Sequence, residues 1–290
     1  LEEALGQLYV NGAYSGWRTW LGQGPKLKLP TYAWQRETLR AQTQASSLDK
    51  FGSMEHPLLQ QRQRQPEPAW QSVVGGSYAP YIPDHQVAGA VLVPGAAYVE
   101  MALAAAAHTG HPLWLDGISF HKMLEGDGAE AHVTLDPATR RMTVHSPGPD
   151  AESFRLHATA QVRTAGLHPV TAVDLSSVRA RLTQEIEPEA LYGTLNARGL
   201  EYGPAFRTVR SAHASEHEVL AEVALAQEHS AAGYYVHPAL LDAGLQSLIA
   251  CLARQSEGPV LVPVNIQELR CHQPVEIGRA SCRERVFPVV

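Results

Sequence analysis

The longest apolar stretch of the chain, Val87–Ala107, contains a single charged residue, Glu100. A stretch of about 20 apolar residues is long enough to cross a membrane as one helix. Pro94 and Gly95 divide this one, because proline fixes its own φ and biases the residue before it away from the helical region. We therefore predict an extended segment, Val87–Val93, followed by a helix that begins at Pro94, and we expect no membrane span.

A second long apolar helix is predicted over Pro238–Ala253, where leucines recur at helical spacing and proline supplies the start. A shorter helix is expected over Pro188–Ala197, with Gly199 as its stop. Four segments alternate polar and apolar residues as antiparallel strands do: Glu130–Leu135, Arg141–His145, Phe154–Val162 and Glu218–Leu225. Long apolar helices beside antiparallel strands thus occur twice, which predicts a tandem α+β repeat.

The composition narrows the class of protein. Lys plus Arg number 23 against 29 Asp plus Glu, and the resulting net charge of -6 argues against nucleic-acid binding. Three cysteines are too few for a disulfide framework, so a reducing cytoplasm is the expected location. The chain begins with Leu1 and shows no signal peptide, and we interpret it as a piece of a longer protein.

One pattern suggests zinc. His213–His217, which reads HASEH, matches an HxxEH zinc motif. That chemistry requires both histidines on one face of a helix, whereas the residues around this segment predict strand, turn and strand. We therefore expect no metal.

His85, Gly89 and Pro94 follow the spacing HxxxGxxxxP, which places a histidine just before a glycine bend and a helix start. A histidine at such a place can act as a general base near neutral pH. The backbone amides at the helix start, from Gly95 onward, can polarise a carbonyl. An ordinary structural histidine is the competing interpretation, because the chain has 14 of them.

Two further groups of residues can support chemistry. Asp242 and Gln246 lie four residues apart on one face of the second long helix, and a carboxylate in a dry pocket holds its proton and can deliver it. In the segment GLEYGPAF, Tyr202 offers a hydroxyl and Gly203 offers backbone that a ligand can approach closely. A surface acid near a helix start and a structural tyrosine are the competing interpretations.

The three groups occur in the order DHQVAGAVLVPGAAYVE, GLEYGPAF and HPALLDAGLQ. Together they resemble the dehydratase domain of modular type I polyketide synthases, whose motifs are HxxxGxxxxP, GYxYGPxF and DxxxQ or DxxxH. The resemblance covers roughly residues 55 to 273 and departs from the second motif at Leu200, where the family has tyrosine. In the first 50 residues, LGQLYVNG and LPTYAWQRE resemble the linker that follows an acyltransferase domain in such synthases.

The resemblance implies an α+β double hotdog fold, in which each of two tandem halves wraps an antiparallel sheet around a long central helix. The expected regions are a post-acyltransferase linker at 1–50, a first half with the catalytic histidine at 51–165, a connecting linker at 166–178, a second half with the catalytic aspartate at 179–275 and an atypical tail at 276–290. The tail does not resemble the family and is interpreted as cloning-derived or frameshifted sequence. We expect it to leave the second half incomplete, with unpaired strand edges.

The reaction that the resemblance implies is loss of water from a (3R)-3-hydroxyacyl thioester. His85 would remove the α-proton, and Asp242 would protonate the departing hydroxyl. The other motif residues would bind the substrate or polarise its carbonyl: Tyr202, Gly203, Gln246, Gly89, Pro94 and Gly95. No cofactor of its own is implied, because the substrate is carried on the phosphopantetheine arm of an acyl carrier protein.

The implied partners are the acyl carrier protein, an acyltransferase upstream, a ketoreductase and carrier protein downstream, and a second copy in a homodimer. Other functions stay open. The same fold could close an oxygen ring or move the new double bond. The chain could also be a catalytically silent scaffold or dimerisation piece, or a hotdog thioester hydrolase, which would release a free acid.

Overall fold

The computed structural model describes residues 2–13, 16, 19, 56–148, 150, 152–164, 174–215, 218–226, 230–253, 262–272 and 280–283. The chain divides into two compact units, Leu1–Gln42 and Thr43–Val290. In the described part of the first unit, helix α1 (Glu2–Val10) is followed by a turn at Gly12. The predicted linker motif LPTYAWQRE, at 29–37, lies outside the described residues, and so do residues 166–173 of the predicted connecting linker.

Helix α2 (Gly95–His108) confirms the break that was predicted within the apolar stretch. Pro94 precedes it in an extended conformation, and Gly110 follows its end at a φ of 76°. Most of its residues are buried, and many are alanines, which allow the neighbouring sheet to approach closely. Among the described residues, no helix has the length and apolar character needed to cross a membrane.

A seven-stranded antiparallel sheet packs against α2. Its strands, in spatial order, are β1 (Gln61–Arg62), β2 (Ala69–Val74), β6 (Ala129–Leu135), β7 (Arg141–Pro147), β8 (Phe154–Val162), β5 (Trp114–Phe120) and β13 (Asn265–Arg270). The alternating segments predicted β6, β7 and β8 correctly. They did not predict β5, because a register shift between Asp116 and Ser119, with Gly117 at a φ of 54°, interrupts its alternation.

The second half repeats the theme with a four-stranded sheet. Its strands, in spatial order, are β14 (Ala280–Arg283), β12 (Val219–Val223), β11 (Val209–Ala214) and β9 (Gln184–Ile186). The described residues of this half form three helices: α3 (Leu175–Arg181), α4 (Pro188–Asn196) and α5 (Pro238–Ala253). Helices α4 and α5 and strand β12 were predicted; α5 packs against β11 and β12, and it also contacts α2.

Three elements depart from the predicted boundaries. Helix α3 begins within the predicted connecting linker, 166–178, where Asp174 caps the backbone amides of Ser176 and Ser177. Strand β13, assigned to the second half, pairs with β5 of the first-half sheet. Strand β14, which lies in the predicted tail, pairs with β12 of the second sheet. The chain therefore crosses between the two sheets more often than a simple tandem division implies.

A small third sheet joins the halves. It has the order β10 (Leu200–Tyr202), β3 (His85–Val87) and β4 (Ala90–Val91), so a strand of the second half pairs with a hairpin of the first. Val87 faces Ala90 across the hairpin, which leaves Ala88 and Gly89 as a two-residue turn. Both have positive φ, 50° and 77°, as the tightest hairpin turns require.

We expect Gly89→Ala to lower the free energy of unfolding by roughly 1 to 2 kcal/mol, because a residue with a Cβ is disfavoured at positive φ. Ala88→Gly is the matched variant in the same exposed turn. It relieves the same strain but adds chain entropy to the unfolded state, so a change below about 0.5 kcal/mol is expected. Denaturant unfolding of both variants measures the difference, and equal losses would contradict this turn geometry.

Candidate active site

His85 is held at the start of β3 by two hydrogen bonds to one residue. Its carbonyl accepts from the backbone amide of Leu92 at 3.0 Å, and its Nδ1 lies 2.9 Å from the Leu92 carbonyl oxygen. Because a carbonyl only accepts, Nδ1 must carry the proton, and Nε2 of the neutral ring is left with a lone pair. The side chain is buried, so the structure presents a fixed imidazole with a defined tautomer.

Tyr202 lies directly opposite His85, because β10 pairs with β3 in a register that matches these two residues. Their ring centroids are 5.6 Å apart, and the ring of Phe206 lies 5.2 Å from that of His85. Burial raises the pKa of the Tyr202 hydroxyl well above its usual value, and the nearby Asp242 and Tyr192 raise it further. Tyr202 is therefore a neutral hydroxyl beside the histidine.

Gly203 is placed by Asp84, a residue that the sequence analysis did not single out. The amide of Gly203 donates to the Asp84 carbonyl at 2.8 Å, and the amide of Ala205 donates to the Asp84 carboxylate at 2.7 Å. A Cβ on Gly203 would lie 2.5 Å from Asp84 Cγ. The sequence analysis expected a ligand to approach this glycine, whereas in the structure it is the Asp84 side chain that packs against it. The sequence feature that could have pointed to Asp84 is its position as an acidic residue next to His85.

Helix α5 carries Asp242 and Gln246 into the same region. Nε2 of Gln246 donates to Asp242 Oδ2 at 2.8 Å and to the carbonyl of Phe206 at 3.2 Å. Within the described residues, Oε1 of Gln246 has no hydrogen-bond partner although it is buried. The predicted four-residue spacing therefore does place the amide on the carboxylate.

Burial raises the pKa of Asp242 above its usual range, because a charged carboxylate is poorly solvated there. The nearby His85 and the hydrogen bond from Gln246 lower it in part. His85 and Asp242 come from different halves of the chain and meet around Phe206. The Phe206 ring lies 5.2 Å from the His85 ring, and its carbonyl accepts the hydrogen bond from the same Gln246 amide that holds Asp242. The site therefore combines a histidine lone pair with a carboxyl group that tends to keep its proton.

The helix start lies beside these residues. Leu92, the partner of His85, is followed by Val93 and Pro94, and the first intrahelical hydrogen bond runs from the amide of Ala97 to the carbonyl of Pro94. The amides of Gly95 and Ala96 precede that bond, as helix-start amides do. A Cβ on Gly95 would lie 3.2 Å from the Phe120 ring, which favours glycine there.

The structure brings most of the predicted site residues together, but not all of them. His85, Tyr202, Asp242 and Gln246 come together, and Pro94 with Gly95 forms the adjacent helix start. Gly89 lies in the exposed hairpin turn, where its positive φ alone accounts for a glycine. No group of metal-ligating side chains occurs within the part of the chain that the structure describes.

A cavity of about 440 Å³ adjoins this region. Its lining includes Tyr202 and Gly203, together with charged side chains such as Glu189 and Arg207. Arg207 is bound to Glu189 at 2.6 Å and lies over the ring of Tyr192. Tyr202 therefore borders both the His85 ring and a cavity with polar walls.

Two family models match the chain. Residues 56–147 match the polyketide synthase dehydratase domain, and residues 170–287 match the model described as polyketide synthase dehydratase N-terminal domain. The two matches together cover more than half of the 290 residues. The second match extends into 276–290, the segment that the sequence analysis set apart as atypical.

Curated relatives agree with this match. The chain is 33% identical to the spectinabilin polyketide synthase system protein NorA' of Streptomyces orinoci over 98% of its own length and 8% of the relative. It is 32% identical to mycoketide-CoA synthase of Mycobacterium tuberculosis over 100% of its length and 7% of the relative. The chain thus spans less than a tenth of the length of either large synthase.

Solved structures of similar fold are polyketide synthase dehydratase domains. The dehydratase domain of a mycocerosic acid synthase-like synthase is 29% identical, with a TM-score of 0.72 over 80% of this chain and 85% of that one. The dehydratase domain from the terminal module of the rifamycin synthase is also 29% identical, with a TM-score of 0.68 over 80% and 86%. The fold is therefore the double hotdog, and the chain belongs to the family of polyketide synthase dehydratase domains.

Proposed function

We propose that this domain removes water from a (3R)-3-hydroxyacyl thioester on acyl carrier protein during polyketide chain elongation, giving the 2-enoyl thioester. The observation that carries the proposal is that His85 and Asp242 are both buried around Phe206, with a lone pair on the histidine and a raised pKa on the aspartate. A proton α to a thioester is weakly acidic and hydroxide is a poor leaving group, so the reaction needs both a base and an acid.

His85 is the proposed base. Its Nδ1 proton is committed to Leu92, so Nε2 takes the α-proton of the substrate. The electrons of that C–H bond form the Cα–Cβ double bond as the Cβ–O bond breaks. His85 ends the step as a cation with a proton on each ring nitrogen. The Nε2 proton then passes to the Asp242 carboxylate, which restores the neutral histidine and the protonated acid for the next turnover.

Asp242 is the proposed acid. It donates its proton to the departing β-hydroxyl, which leaves as water, and becomes a carboxylate beside the newly charged His85. Burial keeps the proton on Asp242 until that step, and Gln246 fixes the direction of the carboxyl group. The free Oε1 of Gln246, unpartnered among the described residues, is a suitable acceptor for the β-hydroxyl.

The remaining motif residues support these two. Tyr202 is proposed to position the substrate hydroxyl, since its own hydroxyl stays neutral beside His85. The amide of Gly95, at the start of α2, is proposed to polarise the thioester carbonyl as negative charge develops on its oxygen. Gly203 and Gly89 act through the backbone, by fitting against Asp84 and by closing the hairpin that carries His85.

The proposed substrate arrives on the phosphopantetheine arm of an acyl carrier protein, and the reaction as written needs no cofactor or metal of the domain itself. The curated relatives are synthases many times longer than this chain, which supports neighbouring synthase domains as partners. Three further partners are proposed from the family resemblance: an acyltransferase before the domain, a ketoreductase after it and a second copy in a homodimer.

The proposed roles predict that the wild type removes one water from a carrier protein loaded with a (3R)-3-hydroxyacyl chain. His85→Ala and Asp242→Asn are each expected to lower the rate by at least about 10²-fold, the usual contribution of a general base or acid. Intact-mass measurement of the carrier protein reads the loss directly.

Exposed Glu152→Gln is the matched control and should react at the wild-type rate. The same spectrum separates dehydration from hydrolysis, which would release the acyl chain. Substrate left intact by folded wild-type protein, or full activity in either variant, would contradict the assignment.

The raised pKa of Asp242 also predicts a cost in stability. The folded protein binds this proton more tightly than the unfolded chain does. The contribution of the bound proton to the free energy of unfolding is therefore fully present below about pH 4, and it is lost as the pH rises through the folded-state pKa. Asparagine does not ionise, so Asp242→Asn should melt at least about 2 °C higher than the wild type at pH 8, and the gap should narrow toward pH 4.

Thermal unfolding at pH 4, 6 and 8 measures this gap. Glu152→Gln, which changes an exposed carboxylate, should follow the wild type at each pH. A gap between Asp242→Asn and the wild type that does not change with pH would show that the buried carboxyl group is not the cause.

A further inference from the structure

Glu100, the single charge in the apolar stretch, is fully buried in α2 and accepts hydrogen bonds from three of the described residues. The amides of Tyr235 and Val236 donate to its two carboxylate oxygens at 2.6 and 2.9 Å. Nε2 of His56 lies 3.0 Å from Oε1. The residues that donate the amide hydrogens belong to the second half of the chain, so this carboxylate binds the two halves together.

The tautomer of His56 follows from its other nitrogen. Nδ1 accepts the amide hydrogen of Leu58 at 3.1 Å, so the ring proton lies on Nε2 and points at Glu100. All three partners of the carboxylate are therefore donors. An apolar side chain would fill the same space with a smaller desolvation cost, so packing alone does not explain a carboxylate here.

The segment held by Glu100 leads directly to the proposed acid. Val236 lies two residues before Pro238, the first residue of α5, and Asp242 lies in the second turn of that helix. Glu100 itself lies on α2, which begins just after the Leu92 carbonyl that binds His85. The carboxylate thus connects the helix that carries the acid with the helix that follows the base.

A second bridge runs beside the first. The hydroxyl of Tyr81 donates to that of Tyr234 at 3.3 Å, and the ring of Tyr81 lies 4.6 Å from that of His237. Tyr81 precedes the short helical turn Ile82–Asp84, which ends at His85. The ring of Tyr234 also meets the edge of His56, at 5.5 Å between centroids. These contacts form one group, here termed the seam cluster, in which Tyr234 and Tyr235 are partly buried and the others are buried: His56, Tyr81, Glu100, Tyr234, Tyr235 and His237.

We propose that Glu100 and His56 are positioning residues of the dehydratase site, which set the placement of Asp242 relative to His85 through the seam cluster. This inference rests on the function proposed above. Neither residue has a role in proton transfer; they act by fixing the start of α5 against α2. A displacement of about 1 Å at a reacting group can lower the reaction rate by a factor of 10². Substitutions in the seam cluster are therefore expected to lower the rate of water loss.

Glu100→Gln tests the carboxylate. The amide keeps the size of the side chain but turns one acceptor into a donor, which must then face a backbone amide or the His56 proton. We expect kcat for water loss to fall by about 10- to 100-fold, because Asp242 is displaced from the β-hydroxyl. KM should stay within about 2-fold of the wild type, because the proposed contacts from Tyr202 and the start of α2 are kept.

His56 offers a matched pair. Gln can place its Nε2 where the histidine donor lies, whereas Leu cannot donate, and both variants lose the acceptor for Leu58. His56→Gln should therefore keep kcat within about 3-fold of the wild type. His56→Leu should lower kcat by about as much as Glu100→Gln does. Tyr234→Phe, which removes only the hydroxyl bound to Tyr81, serves as a milder variant if either buried change prevents folding.

Val144→Ala is the control for stability, since it removes buried volume from β7 and lies outside the seam cluster. Rates are compared at a temperature where thermal unfolding shows every variant to be folded. A wild-type kcat in Glu100→Gln, or a loss no greater than that of Val144→Ala, would overturn the inference. Equal loss in His56→Gln and His56→Leu would overturn the role of the histidine.

A second measurement does not depend on turnover. The NMR signal of the His85 ring, assigned with His85→Ala, should move in Glu100→Gln in the same sense as in Asp242→Asn, and should not move in Val144→Ala. If the wild type fails to dehydrate the substrate, the proposed reaction fails while this shift still tests the seam. An unchanged His85 signal in Glu100→Gln would overturn the inference whatever the activity.

Discussion

The antiparallel pairing of β10 with β3 is the interaction on which the site depends. Its backbone hydrogen bonds join a strand of the second half to the hairpin of the first, and their register places Tyr202 opposite His85. A shift of one residue would turn Tyr202 to the other face of the strand. The Asp84 contacts with Gly203 and Ala205 continue the same junction beyond the strand and oppose such a shift.

Much of this arrangement could be predicted from the sequence, because it depends on local patterns. Pro94 marks the start of α2, alternation marks β6 to β8, and the four-residue spacing of Asp242 and Gln246 brings the amide onto the carboxylate. The three motifs then identify the family. These signals are carried by residues that are near one another in the chain, where the geometry of helices and strands is regular.

The elements that were not predicted depend on contacts distant in sequence. β5 has its alternation interrupted at Gly117, and its place in the sheet is set by β8 and β13. In the sequence, Asp84 is marked only by its position next to His85, and Glu100 only as the single charge in an apolar stretch. The backbone amides that donate to them lie more than a hundred residues away, and spacing along the chain gives no information about these partners.

The exchange of strands between the sheets has a consequence for recombination between related domains. β13 comes from the end of the chain, yet it completes the sheet of the first half beside β5. A crossover point in the linker between the halves would therefore place a foreign strand against β5 and a foreign β10 against β3 in the same event. The sheet edge and the active site would then each combine strands from two different parent domains. Recombination should therefore exchange the whole domain rather than either half.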